Sequence, residues 1–85
     1  MTDVGDEQQS LGQYRVGVTF NPSASKLVDE IKTAAAALID LCDEQSKNLR
    51  AEPGGGEIMR LWVLAMTDFE TGAMHAVKAA TKVPR

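Results

Sequence analysis

The sequence predicts an all-α protein, in which a two-helix antiparallel hairpin follows an extended N-terminal segment and assembles into a homo-oligomeric helical bundle. Two long segments repeat apolar residues at helical spacing, and a connection rich in proline and glycine separates them. The 85 residues include one Trp, one Tyr, two Phe and one Cys, so neither bulky side chains nor an internal disulfide can complete a small core. Other copies of the chain are therefore expected to complete it.

The N-terminal part of the chain is expected to lack helices. Residues 1–13 are acidic and contain few apolar side chains, which is typical of a mobile tail. Residues 14–20, with the sequence YRVGVTF, are rich in β-branched and aromatic side chains, which favour an extended conformation. The Asn-Pro-Ser segment at residues 21–23 then predicts a turn, and Ser23 or Ser25 can cap the helix that follows.

The first long helix is predicted to run from about residue 26 to about residue 49. Its apolar stripe advances in alternating steps of three and four, as an amphipathic helix requires, and further apolar residues widen it on both sides. Because this apolar arc is too wide for one partner helix, we infer that helices of other copies pack against it. The stripe consists of Val28, Ile31, Ala35, Leu38, Cys42, Gln45 and Leu49, and it is widened by Leu27, Ala34, Leu41 and Ile39.

A loop at residues 50–56 and a second long helix from about residue 57 to about residue 82 complete the predicted hairpin. The loop contains Pro53 and three consecutive glycines, which end the first helix and allow the chain to reverse. Residues 14–85 are therefore expected to form a single helical-hairpin domain. The apolar stripe of the second helix consists of Ile58, Trp62, Ala65, Phe69, Gly72, Ala76, Ala79 and Val83.

Composition and charge exclude several classes of protein. The longest apolar run, residues 34–39, is far shorter than the roughly 18 residues of a membrane span, and the polar N-terminus does not resemble a signal peptide. Together these features indicate a soluble protein of a reducing cytoplasm. The net charge of −3 argues against binding to long nucleic acid, so the charge disfavours a DNA-binding regulator.

No catalytic residue, metal site or cofactor site is predicted. The sequence lacks a Ser–His–Asp order, a phosphate-binding loop motif, an HExxH motif and a CxxC motif. Cys42 and His75, the only Cys and His, cannot supply the four protein ligands of a structural zinc site. His75 lies in an alanine-rich helix and is interpreted as a helix-packing or surface residue. The sequence therefore predicts a protein that is not an enzyme.

Acidic residues are absent from two windows, of which residues 8–28 form the first. This window combines cations with aromatic rings, hydroxyls and a predicted helix N-terminus, and Lys32 lies just beyond it. Cations and helix N-termini favour phosphate, aromatic faces favour nucleobases, and Asn reads base edges. A small nucleotide would suit this set. Alternatively, the apolar side chains at alternating positions of residues 14–20 simply pack against the helices.

Residues 71–85 form the second acid-free window. A stripe of residues that overlaps this window runs along one face of the predicted second helix. The stripe is rich in hydroxyls and cations and contains no carboxylate, whereas a solvated helix face normally mixes Glu with Lys. In an oligomer it would surround an anionic ligand at a symmetry axis; alternatively, it is an exposed face that contains Thr by chance. The stripe consists of Arg60, Leu64, Thr67, Thr71, Met74, Lys78, Thr81 and Arg85.

Three segments in order along the chain, RVGVTFNPS, VDEIKTAAAALIDLC and GAMHAVKAATK, carry a resemblance to a known family. They resemble a phage family of small helical-hairpin proteins, the anti-CBASS cyclic-oligonucleotide sponges, which share a hairpin domain with one class of anti-Thoeris sponge. The resemblance covers about residues 14–82. His75 departs from it, since a bulky aromatic or aliphatic residue is expected there in relatives.

The resemblance implies a homohexameric sponge without enzymatic activity, acting in the cytoplasm of the infected bacterial host. Such sponges sequester cyclic dinucleotides, such as cyclic GMP-AMP, and cyclic trinucleotides, which bacterial cGAS-like enzymes make to trigger CBASS defence. It also implies a dinucleotide site between protomers and a separate trinucleotide site near a symmetry axis. The implied candidates are Tyr14, Phe20, Asn21, Lys26 and Lys32 for the dinucleotide site, and Lys78, Thr81, Arg60 and Thr67 for the trinucleotide site.

A second function, also without enzymatic activity, fits the same sequence. An oligomeric helical adaptor would bind a host protein through an exposed apolar surface, and the small residues of the second helix would serve that role equally well. The two functions differ in whether the chain binds cyclic nucleotides.

Overall fold

All regular structure in the described part of the chain is helical, as the sequence predicts. The computed structural model describes residues 9–49 and 52–84, and within them it contains α1 at Leu11–Val16, α2 at Lys26–Asn48 and α3 at Gly56–Thr81. The two long helices, α2 and α3, form a hairpin, and α1 packs against both. None of the helices in these two ranges has the length and apolar content that a membrane crossing requires.

The N-terminal segment is helical where the sequence predicts an extended conformation. Ser10 caps α1: its hydroxyl accepts a hydrogen bond from the Gln13 main-chain N–H at 3.1 Å, and its own N–H donates to the Gln13 side chain at 3.0 Å. Gly17 ends the helix in the left-handed conformation, with a φ of 66°. These two caps outweigh the β-branched content of residues 14–20, so the extended prediction is wrong for residues 14–16.

The same helix corrects the predicted tail. The tail is predicted over residues 1–13, but residues 10–13 cap and begin α1, so the prediction is wrong there, whereas residues 1–8 lie outside the described residues. The long helices are predicted at about 26–49 and about 57–82, and α2 and α3 begin and end within one residue of those bounds.

The ends of the long helices follow from local side-chain chemistry. Ser25 caps α2, since its hydroxyl accepts a hydrogen bond from the Val28 main-chain N–H at 3.3 Å, and Ser23 has no such role. In the loop before α3, Gly54 adopts a φ of 76°, a left-handed conformation that favours glycine. Residues 50 and 51 of the predicted loop lie outside the described residues.

A small apolar core lies between α2 and α3. Ile39 is completely buried, and Cys42 and Met66 are buried beside it. Burial raises the pKa of the Cys42 thiol above its usual range, because the thiolate would lose its hydration. The half-buried apolar residues that pack against this core are Val16, Trp62, Ala65 and Phe69.

α1 lies across one side of the hairpin, here called the covered side, and is attached to both long helices. The Gly12 N–H donates to Asp40 Oδ1 at 2.7 Å, and a Cβ atom at Gly12 would overlap the carbonyl oxygen of Ala36. At the other end of α1, Arg15 Nε lies 2.7 Å from Glu70 Oε1. Position 12 therefore requires glycine for α1 to approach α2 this closely.

The opposite side of the hairpin, here called the open side, is apolar and exposed in the single chain. Residues two apart on an α-helix point roughly 160° apart, so Leu38 faces away from Ala36 and Asp40. By the same geometry, Leu61 on α3 lies roughly 180° from Glu70. The apolar residues of the open side are Leu27, Ala34, Leu38 and Leu41 on α2 and Ile58, Leu61 and Gly72 on α3, and Asp68, seven residues after Leu61, is exposed on the same face of α3.

Burial on the long helices is rotated relative to the predicted stripes. Leu38, Ile58 and Val83 of the predicted stripes are 43%, 50% and 84% exposed in the single chain, so packing of other copies against these residues stays a prediction. Lys32 and Ser46 lie outside the predicted stripe but are buried. For Lys32 the cause is α1 with the turn that follows it, since α1 packs on the flank of α2 that contains Ala36 and the turn covers Lys32.

Candidate ligand-binding site

Two neighbouring cavities lie beside α1 and the turn that follows it, and Lys32 and Val77 line both of them. We call the larger, of about 300 Å³, the turn cavity, and the smaller, of about 220 Å³, the arginine cavity. Val28 at the start of α2 and Thr81 at the end of α3 line the turn cavity together, as an antiparallel hairpin requires. The turn cavity is also lined by Phe20, Asn21, Pro22 and Ser23, and the arginine cavity by Arg15, Val16, Glu70, Ala73 and Met74.

Lys32 is the charged residue that the two cavities share, and it is only 7% exposed. Its ammonium donates hydrogen bonds to the main-chain carbonyl oxygens of Gly17, at 3.0 Å, and Phe20. Among the described residues it forms no ion pair. Burying a charge is costly without a counterion, and two carbonyl groups offset only part of that cost. An anion in either cavity would supply the missing charge.

Aromatic rings at the site are exposed rather than packed. Phe20 is 69% exposed at the edge of the turn cavity, and Lys32 Nζ lies 5.4 Å from the centre of its ring, within the range of a cation–π contact. Tyr14 is 73% exposed and lines neither cavity. The interpretation that residues 14–20 alternate because they pack against the helices is therefore wrong for these two rings.

Asn21 and Lys26, also predicted for the dinucleotide site, differ in position. Asn21 lines the turn cavity, but its amide nitrogen donates to the Ser25 carbonyl at 2.7 Å and to Asp29 Oδ1 at 2.9 Å. Its amide oxygen accepts from the Ser23 hydroxyl at 2.8 Å. Both amide hydrogens thus fix the turn and are not available to a base edge. Lys26 is exposed and lines neither cavity.

The residues predicted for the trinucleotide site do not meet within one chain. Arg60 and Lys78 lie about 27 Å apart along α3, at a rise of ~1.5 Å per residue. Arg60 pairs with Glu57, at 3.0 Å between Nη2 and Oε2, so a carboxylate does reach the predicted acid-free stripe. Thr81 lines the turn cavity instead, and Arg85 of the stripe lies outside the described residues.

Arg15 is absent from the predicted site residues, yet it lines the arginine cavity. Its Nε pairs with Glu70, and its Nη2 donates to Thr67 Oγ1 at 3.4 Å. A local signal for this placement exists in the sequence. Ser10 followed three residues later by Gln13 is a capping-box pattern, which predicts α1 and puts Arg15 on a helix.

Other chemically reactive side chains lie outside both cavities. Cys42 is buried in the core, and His75 is exposed on α3. In residues 9–49 and 52–84, no group of three or more His, Cys, Asp or Glu side chains is placed to hold a metal ion. The chemistry available at the site is therefore that of cations, hydroxyls and an aromatic ring.

A helical hairpin, a short helix docked across it and a buried cation between two cavities define a small helical-hairpin protein with a candidate site for an anionic ligand. A family model described as Acb2/Tad1, hairpin domain, matches residues 13–81, so the chain belongs to that family. This match confirms the resemblance to the anti-CBASS and anti-Thoeris sponge hairpins. The family is associated with phage sponge proteins. Searches of curated proteins and of solved structures found no match to the chain.

Proposed function

We propose that the protein is a phage sponge that sequesters cyclic dinucleotides and cyclic trinucleotides made by bacterial cGAS-like enzymes. In the cytoplasm of the infected host it would prevent these messengers from activating CBASS effectors. The observation that carries the proposal is Lys32, a buried ammonium with no ion-pair partner among the described residues, at the junction of two cavities. Membership of a sponge family supports the same class of ligand.

A cyclic dinucleotide suits the paired cavities because it carries two bases and two phosphates on one small ring. A phosphate beside Lys32 would neutralise the buried ammonium through a charge-assisted hydrogen bond. The exposed ring of Phe20 would stack on a base, a contact that contributes about 1–3 kcal/mol per base. Tyr14 and Lys26 are exposed, and we assign them contacts with a ligand held by a neighbouring protomer.

The proposed working form is a homohexamer. On the open side, Leu38, Leu41, Ile58 and Leu61 are each at least 43% exposed in the single chain. Burying apolar surface contributes about 25 cal/mol per Å², and a domain of this size rarely has enough core of its own. The open side therefore supports association between copies, and the number six rests on the family resemblance.

The trinucleotide site is proposed to form from several copies. Arg60 and Lys78 are too far apart on α3 for one chain to surround a small ligand. Lys78 and Thr81 are both exposed near the end of α3, so their equivalents from several protomers could meet around a symmetry axis. Arg60 would lie further along the same axis, whereas the hydroxyl of Thr67, also a candidate, accepts a hydrogen bond from Arg15.

The proposed mechanism is equilibrium binding without bond cleavage. A sponge silences an effector when it lowers the free messenger below the dissociation constant of that effector. The cavities offer charge, stacking and hydrogen bonds for this purpose. The ligand released from the protein should therefore be chemically intact.

Titration calorimetry with cyclic GMP-AMP and with cyclic tri-AMP tests the proposal, with light scattering to measure the assembled mass. We expect tight binding, and chromatography of ligand released by heat should show unchanged nucleotide. Lys32→Met keeps the aliphatic stem but removes the charge, so it should weaken cyclic GMP-AMP by about tenfold or more. Lys47→Met removes an exposed cation from the same helix and should leave the affinity unchanged.

Two results would contradict the sponge. One is the absence of micromolar binding for both nucleotides, and the other is release of hydrolysed product. Circular dichroism of each variant separates loss of affinity from loss of fold.

The open side also favours the second candidate, a helical adaptor that binds a host protein. Its exposed leucines would suit the apolar face of another helix as well as a further copy of the chain. A chain that assembles but binds neither cyclic nucleotide would support the oligomeric adaptor over the sponge.

A further inference from the structure

We infer that Arg15 is a second phosphate-binding residue of this site, and that Glu70 and Thr67 are positioning residues that aim its guanidinium into the arginine cavity. The inference rests on the proposed function, because it concerns the same ligand and the same pair of cavities. It adds a binding residue on α1 and two residues on α3 that act through it.

The hydrogen bonds of Arg15 leave one edge of the guanidinium for a ligand. Nε is 2.7 Å from Glu70 Oε1, and Nη2 donates to Thr67 Oγ1 at 3.4 Å. A guanidinium has five N–H donors, so three remain after these two bonds. Donors of this planar group match the oxygens of a phosphate in a bidentate arrangement.

The surroundings of Arg15 fit a bound nucleotide better than a simple surface ion pair. The Arg15 and Glu70 side chains are 23% and 32% exposed, so solvent screens the pair only in part. Arg15 lines the arginine cavity together with Lys32, while Val16, Ala73 and Met74 contribute apolar walls. A ligand with two phosphates needs two cationic anchors, and this cavity contains two cations for one carboxylate.

Glu70 and Thr67 determine where the guanidinium points. They lie one turn apart on α3, and both hold the same end of a side chain that would otherwise move freely. Fixing the group before the ligand arrives reduces the entropy lost on binding. The cost of removing Glu70 should therefore appear in ligand affinity, and only in chains that retain Arg15.

Calorimetry with cyclic GMP-AMP tests this with Arg15→Gln, Glu70→Ala, Glu70→Gln and the double variant Arg15→Gln/Glu70→Ala. Arg15→Gln should weaken binding by about ten- to a hundredfold, the usual effect of losing a hydrogen bond to a charged group. Glu70→Ala should weaken it by about three- to tenfold, whereas Glu70→Gln, which still accepts from Nε, should stay within about twofold. Lys47→Gln is the matched control for loss of an ion-paired surface cation.

The double variant separates positioning from a merely structural contact. If Glu70 acts through Arg15, Glu70→Ala should have no further effect on affinity in the Arg15→Gln background. Additive losses would overturn the positioning role. A different result would be a lower midpoint of thermal unfolding in Arg15→Gln and Glu70→Ala with unchanged ligand affinities. It would show that the pair only attaches α1. That result would overturn the inference but not the proposed sponge function. If the unaltered protein binds no cyclic nucleotide, the proposed function itself fails.

Discussion

The two sides of the hairpin differ in the kind of interaction that each one uses. On the covered side, α1 is held by directed polar contacts, from Gly12 to Asp40 and from Arg15 to Glu70. On the open side, most of the exposed residues are leucine, isoleucine and small side chains, and Asp68 of α3 lies among them. Polar contacts fix distances and angles, whereas apolar burial is roughly proportional to area and has no direction.

This contrast would allow a short chain to combine the proposed assembly with the proposed binding of a ligand. The open side is suited to association between copies, and the covered side is suited to holding a ligand in one orientation. Substitutions on the open side should therefore change the assembled mass, whereas substitutions on the covered side should change the ligand affinity or the stability of the fold.

The largest expected effect comes from the open side. Leu38→Asp puts a carboxylate where we propose that another copy packs, and an unpaired buried charge is far more costly than the leucine burial it replaces. Light scattering should show a fall from the assembled mass to that of a smaller species. Thr33→Asp adds the same charge at an exposed position of α2 that lies about 140° around the helix from Leu38, and it should leave the mass unchanged. An unaltered mass for Leu38→Asp would remove the open side as the interface.

The next effect lies where α1 meets α2 on the covered side. Gly12→Val should lower the free energy of unfolding by about 1–3 kcal/mol, because the added side chain overlaps the Ala36 carbonyl and forces α1 away. Gly56→Ala meets no atom within 4 Å and should cause no loss. Urea unfolding compares the two. Equal stability would mean that α1 contributes little to the fold.

A smaller effect should separate the two proposed ligand sites of the covered side from each other. Thr81 lines the turn cavity, so Lys78→Ala alone is the better test of a separate trinucleotide site. It should weaken cyclic tri-AMP by about tenfold while cyclic GMP-AMP changes by less than about twofold. Lys82→Ala, an exposed cation just beyond α3, is the control. A parallel loss of both ligands would show that the two proposed sites are one.

The smallest effect concerns the core between the two sides. Burial raises the pKa of the Cys42 thiol, so between about pH 8 and pH 10 the unfolded chain loses the thiol proton first. The free energy of unfolding should therefore fall as pH rises through this range. Cys42→Ala should flatten that slope in urea titrations at several pH values. An identical slope would mean that the thiol titrates alike in both states.

The hairpin was predictable because its signals are local. Apolar spacing marks the two long helices, and Pro53 with the glycines that follow it marks their separation. α1 was missed because the β-branched residues after Tyr14 suggested an extended segment, while the deciding signals were the caps at Ser10 and Gly17. Which residues of the wide apolar arc of α2 are buried within one chain could not be predicted from their spacing, because that depends on where α1 packs.

The site was predictable only in part, for a related reason. Lys32 and Phe20 were selected by residue type, and the structure brings them together at the turn cavity. Arg15 was passed over because its role depends on Glu70, which lies 55 positions further along the chain. Asn21 was selected for its amide, but the turn uses both amide hydrogens. Hydrogen bonds of this kind follow from three-dimensional proximity, which residue types do not reveal.

The contacts of Lys32 have a consequence for how ligand preference can change in evolution. Its ammonium holds the turn through the carbonyl oxygens of Gly17 and Phe20, and every residue type carries that oxygen. The side chain at position 20 can therefore be exchanged without removing the lysine's acceptors. In the proposed sponge, the ring that would stack on a base could therefore vary while the cation that would bind the phosphate stays in place.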